Sequence, residues 1–215
     1  QSSHLRIAGR DTFCNQIKNG EKKKMDFSEL VRRRESCRSY TDRPVPREKL
    51  VACVEAARMA PSACNSQPWH FVIVDEPEQQ KALAEATDNF IPGMNAFAAQ
   101  APASIIVLEG KATLMARLGG SINHQYYAHM DVGNALAYLT LAAADQGLAT
   151  CILGVFNEKQ LKAAFAIPES FRIRAVVLCG YTKREEPRAK RRKALDEILS
   201  VNSFNRKNEK ESGNE

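Results

Sequence analysis

The chain has 215 residues, 44% of them hydrophobic, with 31 Lys and Arg against 25 Asp and Glu for a net charge of +6. That length suits one compact domain with a sizeable core, and no run reaches the ~18 apolar residues of a membrane helix, so no membrane partner is expected. The positive charge is bunched in Lys22-Lys23-Lys24, Arg32-Arg33-Arg34 and Lys190-Arg191-Arg192-Lys193, without the recognition module or interleaved aromatics that nucleic-acid binding wants; solvated faces, or a receptor for a small phosphate ligand, explain it better.

Residues 1–25 read as a polar arm. Asp26 then offers an N-cap with Glu29 three residues on, and Phe27, Leu30, Val31 and Arg34 follow at helical spacing. Pro44 and Pro46 punctuate the next turn, with Pro46 placed to open a helix. Its apolar stripe is Leu50, Val54 and Ala57, and it ends near Ala60. Trp69 to Asp75 reads as a strand, Pro77 to about Thr87 as a helix, and Ala103 to Leu108 as a strand apolar enough to be central. Residues 90–100 and 111–128 give no clear pattern. From Tyr127 to Gln146 the chain is apolar on most faces, which predicts a long buried helix stopped by Gly147. Ala149 to Leu153 is a third strand, Asn157 with Gln160 caps a short helix, and Ile173 to Gly180 is a fourth strand. Beyond Tyr181 the chain turns basic, and residues 201–215 read as a polar tail. Strands and helices do not alternate regularly, and no Gly-x-Gly-x-x-Gly or Walker loop is present. The expectation is an α+β fold with a central sheet between helices, over residues 26–200, rather than a Rossmann domain.

The six cysteines, at positions 14, 37, 53, 64, 151 and 179, form no Cys-x-x-Cys pair. Several lie in apolar contexts, where free Cys behaves as a small hydrophobe. A reducing, cytoplasmic setting without structural disulfides is expected. The four His have no metal-ligand spacing with a Cys pair, so no metal site is expected.

Three stretches carry chemistry. In Arg34-x-Ser36-x-Arg38, extended backbone would throw two guanidiniums and a hydroxyl to one side. That is a good receptor for a phosphate dianion, although alone it reads more simply as a basic surface. Lys190-x-Arg192 repeats the arrangement downstream, where a basic tail is the simpler account. The connector Ala60-Pro61-Ser62-Ala63-Cys64-Asn65-Ser66-Gln67-Pro68-Trp69-His70-Phe71 packs small residues, two carboxamides and the single Trp into twelve positions. Asn65 and Gln67 offer donors and acceptors suited to a flat polar ligand, and turn chemistry accounts for part of the pattern. Cys64 has no evident partner base and is a poor nucleophile candidate. Gly154, after the third strand, would permit close approach of backbone to a ligand or simply a sharp bend.

Taken in order, Arg34-x-Ser36-x-Arg38-x-Tyr40, Pro44-Val45-Pro46, Ala60-Pro61-Ser62-x-x-Asn65-x-Gln67-Pro68-Trp69, Gln146-Gly147-Leu148-Ala149-Thr150-Cys151-x-x-Gly154, Ile167-Pro168-Glu169, Gly180-Tyr181 and Lys190-x-Arg192 resemble the nitroreductase-like FMN oxidoreductases, over roughly residues 26–197. The resemblance implies a central mixed or antiparallel sheet flanked by helices, in an intertwined homodimer with FMN at the subunit interface. Arg34, Ser36 and Arg38 would hold the FMN phosphate and nearby flavin groups, with Lys190 and Arg192 completing the phosphate site. Pro61, Ser62 and Asn65 would come from the partner subunit, Gln67 would reach the flavin or its ribityl chain, and the backbone at Leu153 and Gly154 would approach the flavin ring. It implies a ping-pong oxidoreductase that takes a hydride from NADH or NADPH and passes it to a small-molecule acceptor such as a nitroaromatic or quinone. No side chain is then needed as catalytic acid or base. Phe90, Tyr126 and Tyr127 are candidates for the acceptor pocket or for the core. A specialised branch (flavin fragmentation, dehalogenation or substrate dehydrogenation) and a flavin-binding protein without turnover are the alternatives. Glu35 departs from the basic residue often found there.

Overall fold

The computed structural model describes residues 25–88 and 90–204. They fall into two compact units that divide between Glu185 and Glu186. The first holds helices α1 (Phe27–Arg33), α2 (Arg47–Arg58), α3 (Pro77–Asp88), α4 (Leu114–Ile122), α5 (Tyr127–Asp145) and α6 (Glu158–Ala164). Its strands are β1 (Trp69–Val74), β2 (Ala103–Glu109), β3 (Ala149–Leu153) and β4 (Arg172–Gly180). The second unit contains one short helix, α7 (Leu195–Ile198), among its described residues. Residues 1–24 of the expected N-terminal arm, and most of the expected tail, lie outside the described residues.

The strands form one antiparallel sheet in the order β1-β2-β4-β3. Side-chain alternation along β2 divides two cores. Ile105 and Val107 face α2 and α5, against Leu50, Cys53, Ala57, Val132, Ala135 and Leu139. Ile106 and Leu108 face the other way, against Leu83, Ala86, Ala98 and Leu161 from α3, the 3-10 turn Ala96–Gln100 and α6. Helices on both faces explain why β2 is apolar at nearly every position, as its sequence indicated. Complete burial of a side chain such as Leu50 or Leu139 stabilises the fold by about 1.5–3 kcal/mol each.

The local signals act as expected in several places. The Asp26 carboxylate accepts from the Glu29 N–H at 2.8 Å, and Asn157 Oδ1 accepts from the Gln160 N–H at 3.0 Å. Gly147 takes the left-handed conformation (φ 73°) that stops α5. The structure adds one element and corrects one expectation. Residues 111–128 contain a helix, α4, whose pattern is interrupted by Gly119 and Gly120. And α5 is buried along one side only: Val132, Ala135, Leu139 and Ala143 face the sheet, whereas Asn134, Ala137 and Tyr138 are exposed. Its apolar outer side is one of several that this chain leaves uncovered, with Leu114, Met115, Leu118 and Ile122 of α4.

Candidate functional site

The segment after α1 is extended and lies along the outer edge of β3. Ser36 forms a parallel bridge with Thr150, and the Cys37 N–H donates to the Thr150 carbonyl at 2.8 Å. Cys37 and Tyr40 turn inward and are buried, while Arg38 is exposed. The Tyr40 hydroxyl donates to the Cys37 carbonyl at 2.9 Å, and its ring lies against Gly180, where an added Cβ would come within 2.7 Å of it. Burial pushes the Tyr40 hydroxyl far above its usual titration range. A rigid aromatic anchor thus fixes the strip carrying Arg34, Ser36 and Arg38. Neither arginine has an ion pair among the described residues, and the Arg38 guanidinium sits 5.9 Å over the Phe97 ring. Leu153 is buried at the end of β3, and Gly154 follows it, exposed, with nothing within 4 Å of where a Cβ would stand.

The connector lies at the other edge of the sheet, leading into β1. Three of its residues hold left-handed backbone: Cys64 (φ 50°), Asn65 (φ 50°) and Gln67 (φ 44°). Such positions cost of order 1 kcal/mol or more each and persist only where neighbours over-determine them. Here they do. The Ser62 hydroxyl oxygen accepts from the Gln67 N–H at 3.0 Å, and the Ser66 hydroxyl oxygen accepts from the Thr113 N–H at 2.8 Å. The Ala63 N–H donates to the Asp131 carboxylate at 3.1 and 3.2 Å. The Gln67 side-chain amide donates to Asn65 Oδ1 at 3.0 Å, which fixes both carboxamides in one exposed cluster.

With β2 and β4 between them, β1 and β3 stand roughly 14 Å apart at ordinary strand spacing. The strip and Leu153-Gly154 therefore gather at one edge, and Pro61, Ser62, Asn65 and Gln67 at the other. Lys190 and Arg192 belong to the second unit. There Lys190 is partly buried and Arg192 is exposed, its guanidinium donating to the Arg191 carbonyl at 2.7 Å.

A model of the Nitroreductase family matches residues 31–181. The chain belongs to the nitroreductase family. A putative NADH dehydrogenase/NAD(P)H nitroreductase of Archaeoglobus fulgidus is 32% identical over 164 residues, 73% of this chain and 86% of the relative. Iodotyrosine deiodinase 1 of Mus musculus is 26% identical over 198 residues, 81% of this chain and 68% of the relative. The solved structure of an FMN-dependent nitroreductase from Clostridium difficile R20291 shares the fold. At 22% identity it has a TM-score of 0.65, covering 81% of this chain and 98% of that one.

The nitroreductase fold of this chain also exposes residues that sequence reading missed. Asp131 is buried in the first turns of α5, where its carboxylate tethers the connector. A lone acid at the start of an apolar helix was the only hint of it. Beside the connector, Glu109 at the end of β2 receives both arms of the Arg174 guanidinium, at 2.8 and 3.0 Å. Arg174 is the extra residue of a β-bulge, since Ala175 pairs with Val107 and Ile173 with Leu108. His129 touches Arg174 through Nε2, and Tyr126 stacks on its ring at 5.4 Å. Phe90 and Tyr126 are exposed rather than part of the core. Among the described residues no helix is long and apolar enough to cross a membrane, and no cluster of His, Cys, Asp or Glu could hold a metal ion.

Proposed function

We propose that this chain is an FMN-dependent NAD(P)H oxidoreductase, working as a homodimer, that reduces nitroaromatic, quinone or similar electron-poor acceptors. The observation that carries the reading is a pair of arginines, Arg34 and Arg38, anchored on a rigid strip with no acidic partner among the described residues, beside open space at Gly154. That donor set fits a phosphate-bearing planar group. Guanidiniums hold phosphate through paired charge-assisted hydrogen bonds, and a backbone without Cβ leaves room for a ring. Arg34, Ser36 and Arg38 would bind the phosphate and adjacent flavin groups.

The distance between sheet edges argues for a composite site. Pro61, Ser62 and Asn65 would serve the cofactor bound mainly by the other subunit, and Gln67 would reach the flavin or its ribityl chain while bracing Asn65. When bound, FMN supplies the hydride chemistry, and the protein supplies binding, orientation and electrostatics. The arginines would favour an anionic ligand, and the tethered connector would wall the ring without any side chain acting as acid or base. We take residues 26–200 as the cofactor-binding domain and the cytoplasm as its setting.

The test is direct. The purified protein should show flavin absorbance, bleach on adding NADH or NADPH, and regain colour with a nitroaromatic or quinone. A colourless protein that takes up no added FMN would overturn the reading, and a flavin that never bleaches would leave a carrier rather than an enzyme. An iodinated tyrosine in the acceptor panel tests the dehalogenating alternative.

A further inference from the structure

Of the two acids on α5, Asp145 is exposed and Asp131 is buried, with 5% of its surface accessible. Among the described residues its one hydrogen-bond donor is the Ala63 N–H, 3.1 Å from one carboxylate oxygen and 3.2 Å from the other, and no cation pairs with it. A buried carboxylate without a cation is a weak device for stability, because desolvation offsets most of what its hydrogen bond gains. An apolar side chain would fill the same space without that cost. What the carboxylate alone supplies is a grip on the Ala63 N–H.

The connector is otherwise braced mainly upon itself. The Ser62 carbonyl accepts from the Asn65 N–H at 3.0 Å and the Ala63 carbonyl from the Ser66 N–H at 3.0 Å. The Ser62 hydroxyl and Asn65 Oδ1 both accept from Gln67. From Pro61 to Gln67, the hydrogen bonds that reach other elements among the described residues are Ala63 to Asp131 and the Thr113 N–H to Ser66. Thr113 belongs to the exposed stretch that opens α4, whereas α5 packs on the sheet through Val132, Ala135 and Leu139. Asp131 is therefore the tie to the packed body of the chain.

That tie holds a strained segment. Cys64, Asn65 and Gln67 keep left-handed backbone, so a connector released at Ala63 has conformations of lower energy to fall into. Ala63 directly follows Pro61 and Ser62 and stands two residues before Asn65, the three residues proposed above to face FMN.

We propose that Asp131 is a positioning residue for the cofactor and acts across the subunit interface. Its carboxylate fixes Pro61, Ser62 and Asn65 against the FMN held by the arginine strip of the other chain, an inference that rests on the composite site argued above.

Titration of FMN into flavin-free protein, followed by quenching of flavin fluorescence, tests it. Asp131→Leu removes the grip and should raise the Kd for FMN at least about tenfold, the scale of one hydrogen bond to a charged group. Asp131→Asn, whose Oδ1 still accepts from the Ala63 N–H, should stay within about threefold of the parent. Equal losses in both variants would assign the effect to the charge rather than the grip and overturn the proposal.

The deciding measurement uses mixed dimers, made by co-expressing an Arg38→Ala chain and an Asp131→Leu chain with different affinity tags. If Asp131 acts across the interface, both defects fall in one site, and the other site keeps an unaltered strip and an unaltered connector. Such a dimer should bind one FMN with the affinity of the parent. The working strip belongs to the Asp131→Leu chain, so that binding also shows this chain to be folded. Two weakened sites would mean that Asp131 serves only its own chain, and the proposal fails. It fails alone if the parent binds FMN and the Asp131→Leu homodimer binds it equally well. A parent that takes up no FMN would sink the cofactor reading and this inference together.

Discussion

Arg32 and Arg38 carry the same charge six residues apart, yet their surroundings differ. Arg32 lies exposed in the last turn of α1, whereas Arg38 follows the Ser36–Thr150 bridge on a strip pinned by Tyr40. A hydrogen bond to a charged group contributes about 1.5–3 kcal/mol. Arg38→Ala should therefore raise the Kd for FMN at least tenfold and Arg32→Ala less than twofold, read by quenching of flavin fluorescence; equal losses would reduce the strip to a charged surface. The extended strip that carries Arg34, Ser36 and Arg38 was legible because alternation is a local property. Asp131 was not, because its partner Ala63 stands 68 residues away and only tertiary packing brings the two together.

Where α2 and the end of α5 meet the sheet, Cys53 and Cys179 face one another in the core. Gln146 closes this junction by donating to the Lys49 carbonyl at 3.2 Å and to Cys53 Sγ at 3.2 Å. Burial pushes the Cys53 thiol up to about 12 from 9.0, and Cys179 also lies well above its usual value. In the unfolded chain both thiols lose their protons near pH 9. Between pH 9 and 12 the folded state thus binds more protons, and stability falls as pH rises, by up to about 1.4 kcal/mol per pH unit for each thiol. Below pH 9 these thiols add no pH dependence. Thermal melts in reductant from pH 8 to 10.5 should show the decline, and Cys53→Ala should make it shallower; an unchanged slope would remove Cys53 from the account. Among the elements themselves, α1, α2, α3 and all four strands were readable from period, caps and prolines. The helix α4 was not, since two consecutive glycines break its pattern and its apolar residues, Leu114, Met115, Leu118 and Ile122, are exposed rather than packed on this chain's core.

At the scale of the whole molecule, the cationic strip and the connector occupy opposite edges of a four-stranded sheet. One chain then supplies half of each proposed flavin site. Sedimentation should give twice the 23.9 kDa chain mass, and dilution that separates the subunits should release FMN in step. A monomer that keeps one FMN per chain would refute the composite site. The uncovered apolar side chains of α4, with Tyr138 of α5, are the surfaces such an association would bury.

By itself the sequence determined the strands and most of the helices, the two-sided burial of β2, the α+β class and the family resemblance, because periodicity, caps and spacing are encoded within a few residues of one another. Tertiary structure alone decided which motifs meet. The antiparallel order β1-β2-β4-β3 sends the connector to one edge and the arginine strip to the other. It also holds three left-handed residues in place through Asp131 and leaves the Gln80 carboxamide buried without a protein partner. Strand order and buried polar pairing depend on contacts between residues distant in sequence, and no local pattern encodes them.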